Sequence, residues 1–262
     1  MGRGTFGVQA STGFTLLELL TVIAIMGILA AISLPAIRGL KPNAKVAGTR
    51  QLLDAVGRAR QLAISQRTTV HMVFLSTNFF AGLSGTNLGR VQPLLDKQLV
   101  GYAYVTLRSV GDQPGVRTPR YLSRWRTLPQ GAYIPLGKFW PGLTLTNTTL
   151  TAPGLSLFIP PFSTTNNIPF PTEDNPVTVP VTLSYIAFDG MGQLVSGRPG
   201  QPELIPIAEG SVSYARDGES RAALPQAPRA NEQPPGNTVE NYSLIYIDRL
   251  TGRARVERRK VE

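Results

Sequence analysis

The chain has 262 residues, no cysteine, a single histidine and a formal charge of +10. That excludes disulfides and thiolate metal sites, and it leaves too few imidazoles for a histidine-based metal centre or a cysteine–histidine nucleophile pair. The 26 glycines and 22 prolines commit much of the chain to turns and loops, and the positive balance suits anionic partners such as nucleic acid or lipid headgroups.

Residues 1–13, MGRGTFGVQASTG, are short and polar, cannot bury a core, and read as a targeting leader. Residues 14–37 follow as an apolar helix. From Phe14 to Leu34 the segment is almost uniformly apolar, and as a helix it is about 30 Å long, enough to cross a bilayer. It carries one carboxylate, Glu18, near its start. An ionised carboxylate in hydrocarbon costs roughly 2.5–3.5 kcal/mol even on insertion scales, so a partner for this charge is expected. Pro35 removes a backbone donor near the other end and predicts a kink or break there.

Residues 38–67 form the next element. Val46, Leu52, Leu53, Val56, Ala59 and Ala63 recur at spacings of three and four, while Arg50, Asp54, Arg58, Arg60 and Arg67 lie mostly off that stripe. This predicts an amphipathic helix with one face for a core, forming with the first helix a long bent rod. Residues 68–262 then read as a β-rich globular head. Strands are predicted at 68–75, 100–108, 155–159, 183–189, 211–215, 242–248 and 253–258, with Asp189-Gly190 and Thr251-Gly252 as turns and a hairpin at the C-terminal end. Residues 109–180, rich in Pro, Gly, Thr and Asn, read as long loops or an insertion within the head.

The run GFTLLELLTVIAIMGILAAISLP, with Gly13 before Phe14, Glu18 four residues on and Pro35 at its end, resembles the class III N-terminal signal of type IV pilins and type II secretion pseudopilins. The stretch LLDAVGRARQLAISQRTTVHMVF and the C-terminal hairpin are similar to the minor pseudopilin H group, which includes pilin-like DNA-uptake proteins. The resemblance implies an α+β fold, a long N-terminal helix whose second half packs on an antiparallel β-rich head. It implies a filament subunit rather than an enzyme. Prepilin peptidase is expected to cut after Gly13, the new amine of Phe14 to be N-methylated, and Glu18 of an incoming subunit to pair with a neighbour's amine. The implied partners are the peptidase, other pilin or pseudopilin subunits, the inner-membrane assembly machinery and lipid. The implied location is the bacterial inner membrane, single-pass, with the head in the periplasm or on an extracellular filament. No cofactor and no metal is expected.

Other readings compete. Arg253 and Arg255 alternate on a strand and so share a face, which suits phosphate contact and a DNA-uptake role; charged edge strands that merely resist aggregation look the same. Arg117, Arg120, Arg124 and Arg126, interleaved with Tyr121 and Trp125, suit single strands or glycans, or else a loop whose aromatics pack inward. His71 reads as a packed strand residue, Asp189 and Asp248 as turn residues rather than calcium ligands, and Glu173 and Asp174 as solvated loop acids. A membrane-anchored binding module or enzyme is the third class, distinguished by an uncut N-terminus and indifference to Glu18.

Overall fold

The computed structural model describes residues 15–39, 44–108, 111–113, 118–146, 155–165, 168 and 181–258, with the side chains of 30–39, 146 and 258 excepted. The chain divides into two units, Met1–Pro42 and Asn43–Glu262. The first holds helix α1 (Leu16–Gly39). The second begins with α2 (Ala44–Gln66) and is otherwise mainly β, as the α+β expectation has it. The bent rod expected of the two helices turns on residues 40–43, which lie outside the described residues.

Among the described residues thirteen strands follow in the second unit. They are β1 (Val70–Phe74), β2 (Gly101–Thr106), β3 (Arg120–Tyr121), β4 (Arg126–Thr127), β5 (Ala132–Tyr133), β6 (Leu143–Thr146), β7 (Ser156–Ile159), β8 (Ser163–Thr165), β9 (Leu183–Phe188), β10 (Glu203–Ser213), β11 (Arg229–Glu232), β12 (Ser243–Ile247) and β13 (Ala254–Arg258). Short helices α3 (Gly85–Val91), α4 (Leu136–Phe139) and α5 (Asn237–Glu240) and a 3-10 helix (Gln92–Lys97) sit between them.

The first sheet runs β3-β2-β1-β9-β8, with β4 also on β2, all antiparallel. Its central strands β1, β2 and β9 are buried on both faces, and their two-residue period sorts the side chains. Val70, Met72, Phe74, Tyr102, Tyr104, Ile186 and Phe188 face one cluster, and Val73, Leu75, Ala103, Val105 and Leu183 the other. The first cluster joins this sheet to α2 through Leu52, Ala55, Val56, Ala59 and Ala63, and to Ile205, Ile207, Ile245 and Ile247 of the second sheet. The second sheet runs β11-β10-β12-β13, with β5 on β10. The β6–β7 hairpin packs a third cluster, Leu145, Ile159, Leu204, Tyr242 and Leu244. Helix α2 is pressed close to β5. A Cβ on Gly48 would stand 2.5 Å from that of Ala132, so the helix face carries hydrogen there and nothing larger.

Two regions differ from the sequence reading. The described part of 109–180 is woven into the head: it carries β3 to β8 and sends Tyr121, Leu128, Ile134, Phe139, Leu145, Ile159 and Phe162 into the clusters. Of these strands β7 matches the one predicted at 155–159; the others are too short to show a period among so many prolines and glycines. Strand β10 begins eight residues before the predicted 211. Pro206 lies within it, a residue that normally argues against strand. The strand accepts it because Glu203–Ile207 pairs with β12, whereas β5 and β11 join β10 only from Ala208 onward.

Candidate functional site

The first candidate lies at the start of α1. Gly13 and Phe14 fall outside the described residues, so the structure opens at Thr15. Thr15 and Glu18 form a reciprocal cap. The Thr15 N–H and hydroxyl both donate to Glu18 Oε2, each at 2.9 Å, and the Glu18 N–H donates to Thr15 Oγ1 at 3.3 Å. This is the Thr-x-x-Glu capping box, which satisfies donors that a helix start leaves open. The sequence reading treats Glu18 only as a charge in an apolar helix; the T-L-L-E spacing that spells the cap is present in it. Only one oxygen of the carboxylate is used: Oε1 accepts no hydrogen bond among the described residues.

From Leu16 to Leu29 every described side chain of α1 is exposed, Leu16 at 88%. The apolar residues run all round the helix rather than along a stripe, so no single face could be buried to hide them. Among the described residues no helix is long and apolar enough to cross a membrane; the part of α1 with described side chains is about 21 Å long. The helix stays helical through Pro35 to Gly39, so a break, one of the two outcomes expected at that proline, does not occur.

The C-terminal hairpin is the second candidate. β12 and β13 pair from Ser243↔Arg258 to Ile247↔Ala254. At its turn Asp248 Oδ1 accepts from the Thr251 N–H at 2.8 Å and hydroxyl at 2.7 Å, and Gly252 takes φ +61° with no room for a Cβ against the Gly192 carbonyl. Arg253 is exposed just before the strand. Arg255 is engaged: its Nε donates to Glu257 Oε1 at 2.7 Å and its guanidinium lies 4.3 Å from the Tyr246 ring centroid. Both arginines are exposed, Arg255 with its Nε engaged by Glu257.

The other flagged residues resolve individually. Tyr121 is buried and Trp125 packs beside it, with ring centroids 6.3 Å apart, leaving the nearby arginines outside. Arg117, Glu173 and Asp174 lie outside the described residues. Asp189 Oδ1 accepts from the backbone N–H groups of Met191 and Gln193 at 3.0 and 2.8 Å, a turn role like that of Asp248. His71 stands in β1 between Val105 and Ala187, its ring 5.2 Å from that of Tyr185. Its Nδ1 is buried without a hydrogen bond, and burial pushes its pKa down to about 4. No cluster of three metal-ligating side chains occurs among the described residues.

One buried charge pair escaped the sequence reading. Lys138 of α4 is fully buried and ion-paired with Glu203 at the start of β10. Its Nζ also donates to the Pro160 carbonyl at 2.9 Å and lies 4.5 Å from the Phe162 ring centroid. Burial pushes the ammonium pKa down, and the Glu203 carboxylate opposes that shift. The partners are far apart in the chain, so no local motif announces them.

Compared with known proteins, residues 9–34 match the family model of the prokaryotic N-terminal methylation motif. No curated protein and no solved structure matches the chain. The motif supports a type IV pilin-like subunit, and it implies processing by prepilin peptidase and assembly with other pilin subunits.

Proposed function

We propose that this protein is a minor pilin-like structural subunit of a type II secretion or type IV pilus filament, and not an enzyme. Prepilin peptidase cuts after Gly13, the Phe14 amine is methylated, and residues 14–37 hold the subunit in the inner membrane until it docks. The observation that carries this reading is the methylation motif at 9–34, which overlaps a helix whose described apolar side chains are exposed all round and whose one acid sits at its first turn.

The cap explains how Glu18 could be kept and still be used. In lipid an unsatisfied carboxylate is costly, and the Thr15 N–H and hydroxyl solvate one of its oxygens within the subunit. The other oxygen is left for an ammonium brought by a neighbour. Docking then pairs two charges that hydrocarbon solvates poorly, and it sets the axial position of one subunit against the next. Glu18→Ala is expected to leave cleavage and membrane residence intact and to abolish recovery in sheared filaments, measured by immunoblot of membrane and filament fractions. Filament recovery equal to wild type would sink the assembly role.

A further inference from the structure

We infer that the cleft between α2 and the β2–β4 edge is a recognition site for a carboxylate side chain presented by a protein partner. The cleft has a volume of about 440 Å³. Gln51, Asp54 and Arg58 line it from α2, Tyr102 and Tyr104 from β2, and Arg126 from β4. The register Tyr102↔Arg126 puts that arginine beside the tyrosine floor, and Asp54 and Arg58 stand one helical turn apart on the opposite wall.

Three donors line the cleft without an acceptor among the described residues. Among the described residues neither Arg58 nor Arg126 makes a hydrogen bond or ion pair, although Asp54 is four residues from Arg58 on the same helix. The third donor is the Tyr102 phenol. Gln51 Nε2 donates to the Thr127 carbonyl at 2.7 Å, which fixes that atom as nitrogen, and it also approaches the Tyr102 hydroxyl at 3.2 Å. The phenol is therefore the acceptor of that bond, and its own proton has no acceptor among the described residues. Tyr102 is only 2% exposed, so the proton is held at a dry floor. Tyr104 is spent differently, donating to the Ala55 carbonyl at 3.0 Å.

Two guanidinium groups and a buried hydroxyl lining one cleft supply donors for the lone pairs of a carboxylate, which takes several charge-assisted bonds at once. Asp54 decides against a polyanion. Its charge leaves the cleft with a net charge of one, enough for one carboxylate and unfavourable for a phosphate dianion or a nucleic-acid backbone. The rim residues Asp54, Arg58 and Arg126 are exposed while the floor is buried, which suits a group carried on a larger body.

The test is an NMR titration of the full chain in detergent, following the ring signals of Tyr102 and Tyr104. The probes are N-acetyl-glutamate N-methylamide and its neutral glutamine analogue, with inorganic phosphate and a single-stranded oligo-dT as competitors. Saturable shifts are expected with the glutamate probe at millimolar concentration and none with the glutamine analogue. Arg58→Gln and Arg126→Gln, both at exposed positions, should each weaken binding about tenfold, and Tyr102→Phe severalfold. Equal shifts with the neutral analogue, tighter binding of phosphate or oligo-dT, or no saturable shift at tens of millimolar would each overturn it.

Discussion

Lys138 and Glu203 offer the sharpest test of the packing of the head, because each is the other's only buried counter-charge among the described residues. Removing one partner leaves the other ionised in a dry site, which typically costs 3–5 kcal/mol. An independent bound follows from neutralising the survivor. For Glu203→Gln, stripping a proton from Lys138 at pH 7 costs about 5 kcal/mol from an ordinary pKa near 10.4. For a domain of this size that corresponds to a melting temperature about 6–20 °C lower. The Glu203→Gln penalty shrinks as pH rises, because burial favours loss of the Lys138 proton once its counter-charge is gone. The double variant Lys138→Met with Glu203→Leu carries no buried charge and is expected to recover most of the loss. Thermal melts by circular dichroism from pH 5 to 9, on residues Asn43–Glu262, measure all three. Singles that melt like wild type, or a double no better than the worse single, would refute the buried-pair argument.

Further outcomes follow from the same structure. His71 has an unfolded-state pKa near 6.5 and a folded one near 4, so the unfolded chain takes up its proton first and stability falls as pH drops through that window, by about 3 kcal/mol in full. His71→Phe should flatten this part of the stability–pH curve in urea titrations; an unchanged slope would contradict it. Gly48→Ala and Gly57→Ala make the same change in α2 with opposite signs. The first meets Ala132 and should cost about 1–3 kcal/mol, while the second points into open space and should add roughly 0.5–1 kcal/mol through helix propensity. Two variants that shift the melt the same way would disprove the close approach of α2 to β5. Thr15→Val removes the hydroxyl half of the Glu18 cap and should cost helix α1 about 1 kcal/mol, read as amide exchange of the first turn in detergent; exchange as slow as in wild type would deny the cap.

What could be read from the chain, and what could not, divides along physical lines. The amphipathic period of α2 and the β-branched runs of β1, β2, β9 and β12 are local signals, and the structure has those elements. Four of the six stripe residues, Leu52, Val56, Ala59 and Ala63, are buried as expected, whereas Val46 and Leu53 are only half-buried; Gly48, Thr49 and Ala55 are buried too, Gly48 where a Cβ would meet Ala132 of β5. Pro206 hid the first half of β10, since a proline's tolerance in a strand depends on which neighbours need its missing N–H. Between Arg120 and Thr165 β7 was legible, matching the strand predicted at 155–159, and the other strands were invisible at their length. The Lys138–Glu203 pair and the cleft of Arg58, Tyr102 and Arg126 arise only when separate segments meet, and nothing in local spacing records that. The methylation motif, by contrast, is wholly local, which is why it was readable before any fold was known.

The intact mass of the chain, purified from membranes of cells with an active prepilin peptidase, bears most directly on the proposed function. The account predicts a mature protein starting at Phe14 and carrying one extra methyl group. A mass that retains residues 1–13 would contradict it, because the amine that Glu18 is proposed to meet would never have been made.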